Sequence, residues 1–311
     1  MRVILASPRG FCAGVNMAIA SLESAIERFG TPIYVYHEIV HNTWVVRRFQ
    51  QRGVVFVSRL DEVPPGAHLL YSAHGVSPDV RREAADRRLE TIDATCPLVT
   101  KVHREAVRFA MQGYTVILIG HAGHDEVVGT MGEAPAAIRL IASVEEADCV
   151  EVADRDRVAY LTQTTLSVDD TAQIVDRLRR RFPKLVGPAR DDICYATQNR
   201  QEVVRRLASK AHLVLVVGSR NSSNSQRLAE LARSGGVTAH LIDGPADIDP
   251  NWFHRKEGEE SVLITAGASA PENLVQQCVS YLQERFQAEV EEVRLREEEV
   301  HFVLPRELRR A

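Results

Sequence analysis

The sequence contains no apolar run long enough to cross a membrane, since a spanning helix needs about 20 consecutive apolar residues. It also lacks a strong excess of either charge, because 38 Lys and Arg residues against 42 Asp and Glu residues give a formal net charge of −4. Nucleic-acid and membrane-surface proteins usually carry a basic field, so we expect neither partner. The N-terminal residues lack the pattern of a secretion signal, and we expect a cytoplasmic protein.

Cysteine is scarce and widely scattered. The 311 residues include five cysteines, an odd number that does not form a disulfide framework. In a reducing compartment such cysteines serve metal binding, catalysis or core packing. Cys149 and Cys278 lie in apolar helical patterns, and we expect both to be buried packing residues. Cys12 lies in a glycine-flanked loop, Cys96 precedes a proline at a helix start, and Cys194 follows a predicted strand, so these three are candidates for a metal site.

Polar residues recur at nearly constant spacing after these three cysteines. The spacings are 29, 28 and 28 residues for the pairs Cys12–His41, Cys96–His124 and Cys194–Ser222. A second polar cluster comes later in each stretch, at 72–74, 162–165 and 265–269. Recurrence at a fixed period indicates related structural units, here three of them.

Apolar runs of strand length alternate with helical patterns, which predicts an α/β protein with mainly parallel sheets. The predicted strands are 2–6, 33–36, 54–57, 69–72, 115–119, 139–141, 158–161, 213–217, 240–242 and 262–265. The polar clusters follow these strands directly. Because ligands of parallel sheets bind at the carboxyl ends of the strands, the clusters are where a site is expected.

Three thiolates are one ligand short of a closed metal centre. Structural zinc takes four protein ligands and catalytic zinc keeps one position open, whereas a four-iron cluster normally takes four cysteines. The spacing of these cysteines leaves zinc and iron–sulfur both open.

Imidazole, hydroxyl and amide groups near glycine-rich backbone suit a phosphate or diphosphate, with metal ligation as the alternative use of the histidines. The candidates are His41, His74, His124, Ser222, Asn224 and Ser269. Other histidines, among them His37, His103 and His254, are expected to be structural. Glu126 follows His124 closely, and a carboxyl group beside an anion has a raised pKa, as a proton donor requires. Its alternative role is to cap the helix that follows.

Nine segments between residues 8 and 273 match one known family. They are PRGFCAGV, HEIVHN, SAHGVSP, DATCPLVTKVH, GHAGHDEVVGT, TQTTLSVDDT, DICYATQNRQ, GSRNSSNS and GASAPEN. The chain resembles the 4-hydroxy-3-methylbut-2-enyl diphosphate reductase family, also called the LytB family, over nearly its whole length.

The resemblance implies three similar α/β lobes with mainly parallel sheets, arranged with pseudo-threefold symmetry around a central iron–sulfur cluster. The implied lobes are 13–95, 96–192 and 193–280, with 1–12 and 281–311 completing the core. It implies one [4Fe–4S] cluster per chain, held by Cys12, Cys96 and Cys194, with one iron open to substrate. The implied substrate-binding residues are His41, His74, His124, Thr165, Ser222, Ser223, Asn224 and Ser269, with Glu126 and Thr164 as catalytic residues and Gln163 beside them.

The implied reaction is the two-electron reductive dehydroxylation of (E)-4-hydroxy-3-methylbut-2-enyl diphosphate to isopentenyl and dimethylallyl diphosphate, the last step of the methylerythritol phosphate pathway. The implied electron donor is a ferredoxin or a flavodoxin, since the chain has no flavin or nicotinamide signature. One departure is visible at Glu133, where we expect glutamine in the family. This residue adds a carboxylate near the segment of Glu126 and replaces none of the assigned groups.

Two other classes of protein use similar residues. A zinc-dependent hydrolase acting on a phosphorylated metabolite needs the same thiolates and histidines. A non-catalytic redox sensor needs a cluster, but its response does not depend on Glu126.

Overall fold

The computed structural model of the chain describes residues 1–253 and 260–309, so His254 and the last two residues of the segment 281–311 lie outside the description. Strands and helices alternate along it. The strands are β1 (Arg2–Ser7), β2 (Ile33–Tyr36), β3 (Val54–Val57), β4 (His68–Tyr71), β5 (Glu90–Asp93), β6 (Thr115–Ile119), β7 (Ile138–Ile141), β8 (Val158–Thr162), β9 (Leu213–Val217), β10 (Thr238–Ile242), β11 (Ser261–Ala266) and β12 (Glu289–Arg294). The helices are α1 (Ala13–Phe29), α2 (Thr43–Gln51), α3 (Pro78–Asp86), α4 (Pro97–Met111), α5 (Asp125–Glu133), α6 (Val144–Cys149), α7 (Val168–Arg181), α8 (Tyr195–Leu207), α9 (Ser223–Ser234) and α10 (Glu272–Phe286).

The chain forms two compact units. The first unit comprises Met1–Val15, His41–Arg48 and Tyr195–Val300, and the second comprises Asn16–Val40, Phe49–Cys194 and His301–Ala311. The first unit contains one sheet with the strand order β10-β9-β11-β1-β12, and the second contains two sheets with the orders β3-β2-β4-β5 and β7-β6-β8. Every pairing between these strands is parallel, which confirms the predicted α/β class. The division into three lobes at the predicted boundaries stays a prediction.

The three sheets repeat one strand order. In each sheet, the first strand after a cysteine lies between the next two strands of the chain, as β2 lies between β3 and β4. A further strand lies beside the third in two of the sheets, where β5 precedes Cys96 and β1 precedes Cys12. The internal recurrence seen in the sequence therefore corresponds to a recurrence of topology.

The segment before Cys194 departs from this pattern. A single parallel bridge between Ala159 and Val186 occupies the place of the further strand, and residues 187–194 form a loop. Pro183 and Pro188 flank the bridge, and proline lacks the amide hydrogen that a strand ladder needs. The prediction that Cys194 follows a strand was wrong for this reason.

The sheet of the first unit is covered on both faces. Leu213, Leu215 and Val217 of β9 point into one apolar cluster, while Val214 and Val216 point into another. The first cluster includes residues of α10, and the second includes residues of α8 and α9. A strand buried on both faces is continuously apolar, which is why LVLVV could be identified as a strand from the sequence.

Two predictions about single residues have different outcomes. Cys278 of α10 is fully buried, and burial raises the pKa of its thiol to about 12, so it is an inert packing residue as expected. Cys149, the last residue of α6, is exposed, and the prediction of burial was wrong. Its helix has only six residues, three of them acidic, and is too short for apolar periodicity to identify a buried face. In the described ranges, no helix combines the length and apolar character needed to cross a membrane.

Candidate active site

Each of the three candidate cysteines directly precedes a helix. Cys12 lies before α1, Cys96 before α4 and Cys194 before α8, and all three are half-buried. The amide groups at a helix start carry a partial positive charge, which favours an anion such as a thiolate. The helix starts thus suit negatively charged ligands of a metal centre.

The main chain of each cysteine is fixed in the same way. Its amide hydrogen is donated to a carbonyl oxygen in the loop that follows the third strand of a repeat. The bonds are Cys12 to Ala268 at 3.1 Å, Cys96 to Ala73 at 3.0 Å and Cys194 to Thr164 at 3.1 Å. These acceptor loops are the second polar clusters of the sequence, and each cysteine is attached to the polar loop of another repeat: Cys96 to that of the Cys12 repeat, Cys194 to that of the Cys96 repeat and Cys12 to that of the Cys194 repeat.

Glu126 is held by Thr164 in the second unit. The Thr164 amide donates to Oε1 of Glu126 at 2.7 Å, and the Thr164 hydroxyl donates to Oε2 at 2.8 Å. Glu126 is only 2% exposed, in the first turn of α5. The same Thr164 accepts from the amide of Cys194 through its carbonyl oxygen. One loop therefore positions both a buried carboxyl group and a cysteine.

His124 caps the start of α5. Its Nδ1 accepts a hydrogen bond from the amide of Glu126 at 3.2 Å, so it caps the helix. An imidazole that accepts at Nδ1 and is neutral carries its proton at Nε2 and can donate from there. The His74 ring lies edge-on to the His124 ring with centroids 5.9 Å apart. The two predicted histidines of the second unit are thus brought together.

Asp125 is a charged member of this region that the sequence reasoning did not assign. Its Oδ1 lies 2.6 Å from Nδ1 of His37, and its Oδ2 lies 3.9 Å from Nδ1 of His74. The hydrogen bond to Asp125 raises the pKa of His37 above its usual value. The position of Asp125 between His124 and Glu126 in the motif GHDE was the signal that could have identified it.

Gln163 fixes the neighbouring loop. It accepts from the amide of His121 at 3.0 Å and donates to the hydroxyl of Thr165 at 2.9 Å. Thr165 is half-buried, while Gln163 and Thr164 are buried. These hydrogen bonds therefore hold the TQTT segment, residues 162–165, in one conformation.

The loop before Cys194 is attached to α4. Asp192 accepts from the amide of Thr162 at 3.0 Å and lies 2.8 Å from Nζ of Lys101. Burial is the largest influence on this carboxyl group and raises its pKa to about 6, although Lys101 opposes the rise. The sequence reasoning missed this pair, because the two residues are far apart in the chain and neither lies in an unusual local pattern.

The first unit contains a cluster of neutral donors and acceptors. The Ser222 hydroxyl caps α9 and lies 2.9 Å from the Ser225 hydroxyl and 3.3 Å from that of Ser269. Ser269 also donates to the carbonyl oxygen of His41 at 2.9 Å. Asn224 accepts from the amide of Ala268 at 2.9 Å. Four of the predicted substrate-binding residues thus lie together in this unit.

Glycine permits this close packing. A Cβ atom on Gly267 would lie 1.9 Å from the Ser225 hydroxyl, and one on Gly218 would lie 2.2 Å from it. Both positions therefore exclude any side chain. Ser223 begins α9 next to this cluster and is half-buried.

Arg200 fixes the loop of Cys12. Its guanidinium group donates to the carbonyl oxygen of Gly10 at 2.6 and 3.2 Å and pairs with Glu298 at 2.9 Å. The side chain of Arg200 is completely buried. It lies on the otherwise ordinary helical pattern of α8, so no sequence signal distinguished it.

Glu133 lies at the end of α5, remote along the helix from Glu126. Its Oε1 lies 2.9 Å from Nδ1 of the buried His103 and 3.4 Å from Arg81. Burial lowers the pKa of His103. A Cβ atom on Gly75 would lie 3.1 Å from the His103 ring, so this pair supports the loop that carries His74. Glu133 is thus a half-buried carboxylate partner of His103, and the expected difference from the family at this position stays a prediction.

Comparisons with known proteins place this chain among its relatives. The family model described as LytB protein matches residues 3–283. This chain belongs to the LytB family. A family member named 4-hydroxy-3-methylbut-2-enyl diphosphate reductase from Rhodopirellula baltica is 57% identical over 99% of this chain and 96% of its own length. A protein of the same name from Pectobacterium carotovorum is 54% identical over 99% of this chain and 98% of its own length.

Solved structures of family members share the fold. The E-1-hydroxy-2-methyl-but-2-enyl-4-diphosphate reductase from Plasmodium falciparum matches with a TM-score of 0.93 and 37% identity, over 99% of this chain and 96% of that one. A structure of (E)-4-hydroxy-3-methyl-but-2-enyl diphosphate reductase, described as the terminal enzyme of the non-mevalonate pathway, matches with a TM-score of 0.66 and 30% identity, over 91% of this chain and 100% of that one. The predicted family and fold class are confirmed.

Proposed function

We propose that this protein reduces (E)-4-hydroxy-3-methylbut-2-enyl diphosphate to isopentenyl diphosphate and dimethylallyl diphosphate, as the terminal reductase of the methylerythritol phosphate pathway. The relatives that carry this activity in their names match nearly the full length of the chain. The observation that carries the proposal is the chain of contacts from Glu126 through Thr164 to Cys194, since it couples a buried acid to a candidate metal ligand.

The reaction breaks the bond between the allylic carbon and the hydroxyl oxygen of the substrate. Two electrons enter, one proton joins the oxygen so that it leaves as water, and one proton joins carbon to complete the product. Glu126 is the acid that supplies the proton to oxygen, with the Thr164 hydroxyl orienting its carboxyl group at 2.8 Å. Which of the two terminal allylic positions receives the second proton decides the product.

We infer that Cys12, Cys96 and Cys194 hold one [4Fe–4S] cluster through three thiolates. The cysteine side chains fit such a group because each stands at a helix start, where negative charge is favoured, and is anchored by its own main chain. When bound, the cluster supplies electrons singly and an iron that is a Lewis acid. Binding of the substrate and transfer of its protons then depend on side chains of the protein.

The diphosphate of the substrate needs several hydrogen-bond donors. We infer that His41, His74 and His124 donate from imidazole nitrogen, and that Ser222, Ser223, Asn224, Thr165 and Ser269 donate from hydroxyl or amide groups. Hydrogen bonds to a charged acceptor are stronger than neutral ones, so a set of such donors suits a diphosphate. Because Nδ1 of His124 accepts from the Glu126 amide, the neutral ring carries its proton at Nε2 and donates from that atom.

The partner that delivers electrons is, by the same proposal, a ferredoxin or a flavodoxin in the cytoplasm. The chain offers no flavin or nicotinamide motif of its own. Two single-electron encounters then complete one turnover.

The proposal is tested with protein purified without oxygen. We expect four iron and four sulfide per chain, and consumption of the diphosphate substrate when a reduced one-electron dye is added. A sample with stoichiometric zinc and no sulfide would instead support the hydrolase. An intact cluster without any consumption of substrate would overturn the reductase and leave the redox sensor.

A further inference from the structure

A groove of about 670 Å³ lies in the second unit, between the start of α4 and residues 301–309, here called the C-terminal segment. We call it the tail groove. Its α4 side is formed by Thr95, Pro97, Thr100 and Arg104. None of these residues belongs to the polar clusters assigned to the substrate.

One side of the tail groove lies next to Cys96. Thr95 and Pro97 are the two chain neighbours of Cys96, and the Thr100 hydroxyl donates to the Cys96 carbonyl oxygen at 3.3 Å. The groove therefore borders the chain on both sides of Cys96. Because electron transfer slows steeply with distance, a surface beside a cluster ligand is a favourable entry point.

The tail groove carries exposed positive charge. Arg104 and Arg306 are exposed, and within residues 1–253 and 260–309 neither forms an ion pair. Arg309 is also exposed on this surface. Two carboxylates also line the groove: Asp93, which accepts from both the amide and the hydroxyl of Thr95, and the exposed Glu307.

The C-terminal segment combines firm attachment with an exposed apolar side chain. Arg28 donates to the main chain of Glu307 at 3.0 Å, and Leu308 is buried. Val303, between these anchors and the start of the segment, is 71% exposed. Arginine is enriched in protein-binding surfaces, and an exposed apolar side chain beside it adds area that a partner can cover.

We propose that the tail groove is the docking surface for a small acidic protein that delivers single electrons. The inference rests on the proposed function, because it assumes a redox centre at Cys96. Acidic groups of the carrier pair with Arg104 and Arg306, and the carrier covers Val303. One electron passes at each encounter and the carrier is oxidised by one electron, so two carriers serve each turnover. Charge complementarity of this kind mainly accelerates association and selects the partner.

The test measures binding of a purified acidic ferredoxin to the cluster-containing protein at low ionic strength. We expect the double variant Arg104→Glu and Arg306→Glu to raise Kd at least about tenfold, with an effect that shrinks as salt is added. The matched control is Arg180→Glu, which reverses an exposed charge on α7 away from the groove and should leave Kd unchanged. Val303→Asp should weaken binding without reversing a cation.

Turnover with a reduced small-molecule dye separates this inference from the proposed function. The variants should retain dye-driven turnover while their KM for ferredoxin rises. Equal ferredoxin affinity of the double variant and the wild type would overturn the docking surface, as would an equal loss in Arg180→Glu. If the wild type showed no turnover with the reduced dye, the proposed reductase function would be overturned. The measured affinity for ferredoxin would keep its meaning in that case.

Discussion

The two units use one strand order to support two different kinds of polar cluster. In the first unit the cluster is neutral, with hydroxyl and amide groups at Ser222, Asn224 and Ser269. In the second unit the corresponding loops carry imidazoles and the buried carboxyl group of Glu126. The same strand order thus places neutral groups in the first unit and titratable groups in the second, and in the proposed function only the second unit supplies the acid, Glu126.

The difference also extends to hydrogen-bond partners. The neutral groups bond largely to one another and to main chain, so their geometry is independent of pH. In the second unit, Asp125 links His37 to the His74 region, and that arrangement depends on which groups are charged. Substitutions in the two units should therefore differ in the size of their effects and in how those effects depend on pH.

The largest effect is expected for Glu126→Gln. Glutamine can still accept from the Thr164 amide, and its amide group can donate to the Thr164 hydroxyl, so the local packing is retained. It cannot donate a proton to the leaving oxygen, and kcat should fall about 10³-fold. The measurement is the initial rate with reduced dye, with iron content and substrate affinity as controls. If the variant kept a normal kcat, another group would be the proton donor, and the contrast between the two units would no longer hold.

A smaller effect is expected for Asn224→Ala in the neutral cluster. Loss of a donor to a charged diphosphate should lower kcat/KM by about 10- to 100-fold, mainly through KM. The pH profile should keep its shape, because no titratable group is changed. Steady-state kinetics across a pH series measure both quantities.

The control for this prediction is Asn224→Asp. Aspartate has the same shape and still accepts from the Ala268 amide, so the loop that anchors Cys12 keeps its support. It places a negative charge against the diphosphate and should impair binding more than alanine does. If aspartate instead restored activity, Asn224 would serve the loop and not the substrate.

The sequence predicted the fold class and most strands because both depend on local patterns. Strands such as β9 are continuous apolar runs, and the polar clusters follow them in all three repeats. β5 has mostly polar residues and was not identified, although it leads directly to Cys96. Its assignment depends on pairing with β4, a contact that no local pattern encodes.

The site was predictable where motifs are continuous, and hidden where the contact is distant. Glu126 and Thr164 were both singled out, but only the structure shows their two hydrogen bonds. Arg200 and Asp192 were missed, because their roles arise from burial and from partners far along the chain. Supporting residues of this kind leave no periodic or compositional trace.

The smallest effect is expected for His37→Asn, and it concerns stability. The hydrogen bond to Asp125 raises the pKa of His37, so the folded state holds this proton more tightly than the unfolded state does. The stabilisation is therefore complete below pH 6.5 and is lost as pH rises through the raised value. Asparagine tolerates the positive φ of 59° at this position but carries no titrating charge. The wild type should lose about 1 kcal/mol more unfolding free energy than the variant above pH 6.5.

His240 of the first unit provides the opposite case for the same measurement. Its ring is stacked on Trp252 at 3.7 Å, and burial lowers its pKa. A histidine with a lowered pKa adds stability above its unfolded value that is lost as pH falls through the folded one. The loss of unfolding free energy relative to the wild type should therefore be larger at low pH for His37→Asn and larger at high pH for His240→Asn, and denaturation curves at several pH values measure both trends. Equal shifts would mean that the carboxylate at Asp125 does not hold a charge on His37, and the two units would then differ in composition but not in electrostatics.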